Sequence, residues 1–179
     1  MRSCPLLLAL ALAVLPTAAH AELRTREMAR PSFGLRLGAV SAVSGAAPDS
    51  LTAIGGGAYM LFDIPGLLAE ASADLYGGES RSRMLAIGLG AYAPLDFGAR
   101  SETVPYVGGG LKLGWTRFGG DGATGLLPYG AVGLLVGRSW SPQVRIEAAW
   151  FFQTGTERRA DGFPARHASA PMLTFGLGF

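Results

Sequence analysis

The stretch Ala170-Pro-Met-Leu-Thr-Phe-Gly-Leu-Gly-Phe179 indicates the fold class most directly. Apolar side chains alternate along it, so that Leu173, Phe175, Leu177 and Phe179 fall on one face of a strand. The residues between them are smaller and fall on the other face. The stretch therefore predicts a β-strand with one apolar face that needs a cover, and the remaining segments indicate what that cover is.

The first 21 residues have the three parts of an export signal. They contain a basic residue (Arg2), an apolar run (Pro5–Leu15) and the sequence Ala19-His20-Ala21, which fits a cleavage site. The apolar run is too short for a membrane-spanning helix. We therefore predict a signal peptide at 1–21 and a single exported domain at 22–179.

Cleavage at this point would remove every thiol from the protein. Cys4 and His20 lie in the predicted signal peptide, so the exported domain has no cysteine and one histidine, His167. A disulfide or a metal site built from Cys and His clusters is therefore excluded for 22–179. No cofactor motif is recognised, so none is expected.

The composition restricts how the exported domain can meet a membrane. Hydrophobic residues make up 49% of the sequence, charged residues 16%, and there are 27 glycines. After residue 21, no stretch reaches the ~18 uninterrupted apolar residues that a spanning helix needs. Short alternating segments can instead span as a closed barrel, in which every backbone group pairs with a neighbouring strand.

Eight segments with this alternation predict an all-β, eight-stranded, antiparallel up-and-down transmembrane β-barrel. They are Ser32–Val43, Leu51–Asp63, Leu67–Tyr76, Arg81–Leu95, Val104–Phe118, Leu126–Arg138, Gln143–Thr154 and Met172–Phe179. The second, fourth and sixth connections contain turn residues and are mostly short, which suits the periplasmic side. The first, third, fifth and seventh are Ser44–Ser50, Gly77–Ser80, Gly119–Gly125 and Gly155–Pro171, and we assign them to the outer side.

Six charged residues take the phase that faces the barrel interior, and all lie on odd-numbered strands. They are Arg36, Glu70, Asp74, Lys112, Arg145 and Glu147. The interior of an eight-stranded barrel is just wide enough for side chains to fill it, and buried charges there must be paired. We interpret the three positive and three negative residues as a packed plug. A narrow ion path and carboxylate catalysis are the alternatives.

His167 and Ser169 have the spacing of the catalytic pair in outer-membrane lipid A deacylases. No carboxylate follows Ser169 to orient the imidazole, so the triad is incomplete, and we predict no enzyme activity.

Five arginines could hold lipopolysaccharide phosphates or form an ordinary solvated surface. They are Arg81, Arg83, Arg158, Arg159 and Arg166.

The strand count, the strand Pro105-Tyr-Val-Gly-Gly-Gly-Leu-Lys-Leu-Gly-Trp115 and the aromatic ending resemble the eight-stranded bacterial outer-membrane barrels, typified by the membrane domains of outer membrane proteins A and X. The resemblance implies an integral outer-membrane monomer that contacts lipid, including lipopolysaccharide, and no nucleic acid. It also implies that periplasmic chaperones and the outer-membrane assembly machinery handle the chain, with Leu173, Phe175, Leu177 and Phe179 as the assembly signal.

Fold does not determine function in this family. We expect a non-enzymatic protein that contributes to envelope integrity or to surface interactions through its outer loops. The alternatives are a small pore or solute-binding barrel and, third, a lipid-modifying enzyme.

Overall fold

A computed structural model describes residues 31–42, 51–78, 82–95, 102–118, 121–138, 141–152 and 169–179. These residues form eight strands: β1 (Pro31–Ala42), β2 (Leu51–Ile64), β3 (Leu67–Gly78), β4 (Arg83–Pro94), β5 (Thr103–Phe118), β6 (Asp121–Val136), β7 (Gln143–Phe152) and β8 (Ser169–Gly178). The predicted signal peptide at 1–21, His167 and the arginines at positions 81, 158, 159 and 166 lie outside the described residues.

The strands form one closed antiparallel barrel in chain order, which confirms the predicted fold class. β8 pairs with β1, and the amide and carbonyl of Phe179 extend this pairing through hydrogen bonds of 2.7 and 3.0 Å with Phe33. Following the strand partners once around the barrel gives a stagger of about ten residues, so the strands tilt by about 40° from the barrel axis. Within the described part of the chain, no helix is long and apolar enough to cross a membrane.

Two predicted outer loops are partly strand. β6 begins at Asp121, which pairs with Phe118, so residues 121–125 extend a hairpin that the sequence assigned to a loop. The Gly and Asp residues of this segment are typical of turns, but its backbone still pairs with β5. β8 begins at Ser169 and includes Pro171, which pairs with Trp150 beyond the last β1 partner, Val40. Proline is tolerated there because its missing N–H would have no neighbour to bond.

The strands alternate strictly between two faces. Most of the large apolar side chains of the outer face are 36% to 71% exposed, whereas the charged and aromatic side chains of the inner face are buried. On β1, Leu35 and Leu37 point outward on either side of the buried Arg36. The barrel is therefore apolar outside and polar inside, which is the reverse of a soluble barrel.

Candidate functional site

The structure places all six charged residues of the interior set inside the barrel and brings them together. Arg36, Glu70, Asp74, Lys112, Arg145 and Glu147 are each between 1% and 4% exposed. We call these six residues the lumen network. Their strands, β1, β3, β5 and β7, alternate around the barrel, so the side chains converge from all sides toward the axis.

Arg36 and Lys112 share Asp74 on one side of the network. The Arg36 guanidinium donates two hydrogen bonds of 2.7 Å to the two Asp74 carboxylate oxygens. The Lys112 ammonium binds the same carboxylate and donates to the Ser72 hydroxyl at 3.0 Å. Arg36 also donates to Glu70 at 3.0 Å, which links this pair to the rest of the network.

Arg145 joins the other two carboxylates. Its guanidinium forms ion pairs with both Glu70 and Glu147, and its Nε donates to the Tyr106 hydroxyl at 2.6 Å. That hydroxyl donates in turn to Glu147 at 3.0 Å. Each carboxylate of the lumen network thus accepts at least two hydrogen bonds, which is what makes a buried ion pair tolerable.

Tyrosine rings surround the same cations. The Arg145 guanidinium lies 5.0, 5.1 and 5.4 Å from the ring centres of Tyr92, Tyr106 and Tyr59, within the range of cation–π attraction. The Tyr92 hydroxyl donates to Glu70 at 3.3 Å and is bonded to the Tyr129 hydroxyl at 2.9 Å. The aromatic side chains therefore fill the space between the ion pairs and leave the cations little room for water.

Inward glycines make room for these rings. Gly133 pairs with Tyr106 across β5 and β6, and Gly34 pairs with Tyr59 across β1 and β2. A Cβ atom at either glycine would overlap the ring of the tyrosine opposite. Inward glycines of β1, β5 and β6 are thus the counterpart of tyrosines on the neighbouring strands, a relation that depends on the strand register.

Apolar side chains cover the lumen network at both ends, a feature that the sequence reading missed. Leu61, Leu68 and Leu135 are buried near the ends of β2, β3 and β6 on the side of the chain termini. Val40 and Met84 are buried near the opposite ends of β1 and β4. We call these groups the lower and upper caps. Their inward phase is visible in the sequence, but their position above and below the charges depends on the stagger between strands.

A further ion pair crosses the barrel mouth below the lower cap. The Arg138 guanidinium donates to the two Asp63 carboxylate oxygens at 2.5 and 2.6 Å, and Gln143 donates to the Arg138 carbonyl at 2.7 Å. Asp63 is the last residue but one of β2 and Arg138 follows β6, so the pair joins opposite walls. The sequence missed it because predicted strand six ran to Arg138, whereas β6 ends at Val136.

We expect Asp63→Asn to change the free energy of unfolding by less than about 1 kcal/mol, the range of solvent-accessible ion pairs. The side chains of Asp63 and Arg138 are 29% and 22% exposed, so water screens their attraction. Denaturant titration of the folded barrel measures the effect. A loss as large as that of a lumen-network substitution would show that the mouth pair is a main structural contact.

The predicted assembly-signal residues all lie on the outer face of the barrel, three of them on β8 and Phe179 directly after it. Leu173, Phe175, Leu177 and Phe179 are 60%, 49%, 38% and 66% exposed. This placement shows the apolar row that the sequence predicted, while its role as a signal stays a prediction.

The charged groups in the barrel interior already have ionic and hydrogen-bond partners, which limits the chemistry that they can perform. Within the described residues, no group of three or more His, Cys, Asp and Glu side chains is arranged to hold a metal ion. The lumen-network carboxylates are bound by arginine, lysine and tyrosine. The arrangement suits a rigid filling of the barrel better than proton transfer, which requires a group free to bind substrate.

No protein-family model matches the chain, and no curated protein sequence matches it. Among solved structures, Neisserial surface protein A (NspA) matches with a TM-score of 0.64 at 14% identity, covering 83% of this chain and 95% of that one. The N-terminal β-barrel domain of Pseudomonas aeruginosa OprF matches with a TM-score of 0.45 at 15% identity, covering 84% and 100%. With its closed barrel of eight antiparallel strands, the chain has the fold of the eight-stranded bacterial outer-membrane barrels.

Proposed function

We propose that this protein is a closed, non-enzymatic barrel integral to the bacterial outer membrane. The observation that carries the proposal is the contrast between the two faces of the strands. The interior holds six mutually paired charges, each at most 4% exposed, and the exterior presents large apolar side chains. Lipid can cover such an apolar exterior, and the closed barrel pairs its own backbone groups, so none is left unpaired in the lipid.

The proposed location also fits the export signal predicted at 1–21. In this proposal the signal is cleaved, and periplasmic chaperones and the assembly machinery deliver residues 22–179 to the outer membrane. The barrel then works as a monomer in contact with lipid, including lipopolysaccharide, and binds no nucleic acid.

We propose that the barrel serves as a scaffold for its outer loops, which contribute to envelope integrity or to surface interactions. The lumen network and the two caps support a scaffold over a pore. An ion path needs a continuous wetted route, and here buried apolar side chains such as Leu61 and Met84 lie on both sides of the charges.

The membrane location has a direct test. The expressed protein is expected to fractionate with outer membranes, and unboiled samples are expected to migrate differently from boiled ones on a detergent gel. The physical reason is that a closed barrel keeps its backbone ladder in detergent until it is heated. Recovery as a soluble periplasmic monomer without detergent would contradict the proposal.

The role in the envelope has a separate test. A strain lacking the protein is expected to be more sensitive to detergents and large antibiotics, with its lipid A unchanged in mass. A change in lipid A mass on overexpression would support the lipid-modifying enzyme instead.

A further inference from the structure

Two arginines lie side by side on the outer face of the barrel. Arg83 of β4 and Arg117 of β5 are direct partners across the two strands, and both side chains are exposed. Both take the outward phase, which in these strands otherwise holds apolar residues such as Leu85 and Trp115. Like charges directly opposite on neighbouring strands repel each other.

No neighbouring acid offsets this repulsion in the described part of the chain. The ion pairs found there join other cations to the carboxylates of the lumen network and of the barrel mouth. Arg83 is flanked on its other side by Gly77 of β3, and Arg117 by Gly122 of β6. Among the described residues, the two guanidinium groups thus form a cationic pair flanked by two glycines, which have no side chains.

The pair lies where an apolar membrane band would end. On β5 the outward row runs through Val107, Leu111, Leu113 and Trp115 before it reaches Arg117. Because the strands tilt by about 40° from the barrel axis, the distance along that axis from Val107 to Trp115 is about 20 Å. The apolar band of such barrels is roughly 25 Å tall. Tryptophan is enriched at the headgroup level, so Trp115, two residues before Arg117 on the same face, is consistent with the edge of the band.

We propose that Arg83 and Arg117 together bind a phosphate group of an outer-leaflet lipid headgroup, such as the phosphates of lipid A. The pair lies at the end of the barrel opposite Pro31 and Phe179. In the proposed topology that end faces the outside of the cell. The inference therefore rests on the proposed membrane location. A phosphate between two guanidinium groups would accept charge-assisted hydrogen bonds from both and would remove their mutual repulsion.

The neighbouring residues leave space for such a headgroup. A Cβ atom placed at Gly77 would meet no atom within 4 Å, so the surface beside Arg83 is open. Leu75, Leu85 and Trp115 form the row just below and are all exposed, so they would contact the upper part of the acyl chains. Charge above and apolar surface below match the two halves of a phosphorylated lipid.

The experiment compares the wild-type barrel with two variants in lipid–detergent micelles and counts bound lipid by native mass spectrometry. R83Q/R117Q removes both charges at similar side-chain length. G77E keeps both arginines but adds a competing carboxylate in the open space beside them. Each protein is offered lipid A with its phosphates and lipid A from which the phosphates have been removed, and inorganic phosphate is then added as a competitor. Gel mobility before and after boiling checks that each barrel is folded.

Wild type is expected to retain the phosphorylated lipid at least tenfold better than the phosphate-free lipid, and both variants are expected to lose most of this preference while remaining folded. In phosphate-free lipid, R83Q/R117Q is expected to unfold at the same or a higher denaturant concentration than wild type, because a repulsion is gone. In phosphorylated lipid the order is expected to reverse.

A preference that persists in R83Q/R117Q, or is missing in wild type, would overturn the inference. Displacement of the lipid by millimolar inorganic phosphate would also overturn it and indicate a site for free phosphate. Failure of the membrane location itself would look different, since the wild-type barrel would then be soluble without detergent.

Discussion

Replacing Arg145 with leucine is expected to lower the free energy of unfolding by about 3–5 kcal/mol, the cost of removing one partner from a buried ion pair. Arg145 binds both Glu70 and Glu147. Glu70 keeps Arg36 at 3.0 Å, but the nearest remaining cation to Glu147 is Arg36 at 3.9 Å. Glu147 would thus be left buried with the Tyr106 hydroxyl as its hydrogen-bond donor and Arg36 as a more distant cation. Denaturant titration of the folded barrel measures the loss.

The matched control removes both partners. Arg145→Leu combined with Glu147→Leu and Tyr106→Phe leaves Arg36 and Lys112 balanced by Glu70 and Asp74, and removes the hydroxyl that bridges the deleted pair. This triple variant is expected to be more stable than Arg145→Leu alone, because no buried charge is left unpaired. If the single substitution costs less than the triple one, the lumen network is not held by its ion pairs.

Changing Phe179 to aspartate is expected to reduce the amount of assembled barrel severely. Phe179 ends the apolar row of β8, which resembles the strand that the assembly machinery reads. A charge on the lipid face near the membrane boundary costs only about 0–1 kcal/mol in stability. A large loss of assembled protein would therefore come from lost recognition, and the amount of heat-modifiable barrel in outer membranes measures it.

Phe33 offers a matched control for this experiment. It is hydrogen-bonded to Phe179 through both backbone groups, and the two side chains are 61% and 66% exposed at the same level of the barrel. Phe33→Asp removes similar lipid contact from a strand that is not the last. Equal losses in Phe33→Asp and Phe179→Asp would show that lipid contact explains both effects, with no separate recognition of the final strand.

The alternation of side chains was enough to predict the barrel, its eight strands and the inward position of the charges. In a barrel, a residue's face follows from its phase alone, so Arg36 and Glu147 could be placed without knowing their neighbours. The partners of each charge could not be predicted in this way. They depend on the stagger between strands, which sets the height at which Arg145 meets Glu70 from a strand four places away.

Strand ends were the least predictable part, and the missed features lie there. Asp121–Gly125 reads as a turn because of its Gly and Asp residues, yet it continues the β5–β6 hairpin. Arg138 looked like the last residue of a strand but lies past its end, where it reaches Asp63 across the mouth. The pairing of Arg117 with Arg83 could not be predicted from the sequence, because it depends on the register between β4 and β5.

Current through single barrels in a planar lipid bilayer shows whether the paired charges and the apolar caps keep the barrel closed. Wild type is expected to show no steady conductance, because the interior charges are paired and buried and apolar side chains lie on both sides of them. A steady, ion-selective conductance in wild type, altered by Arg145→Leu without a change in the free energy of unfolding, would contradict the account and identify the lumen network as the lining of a pore.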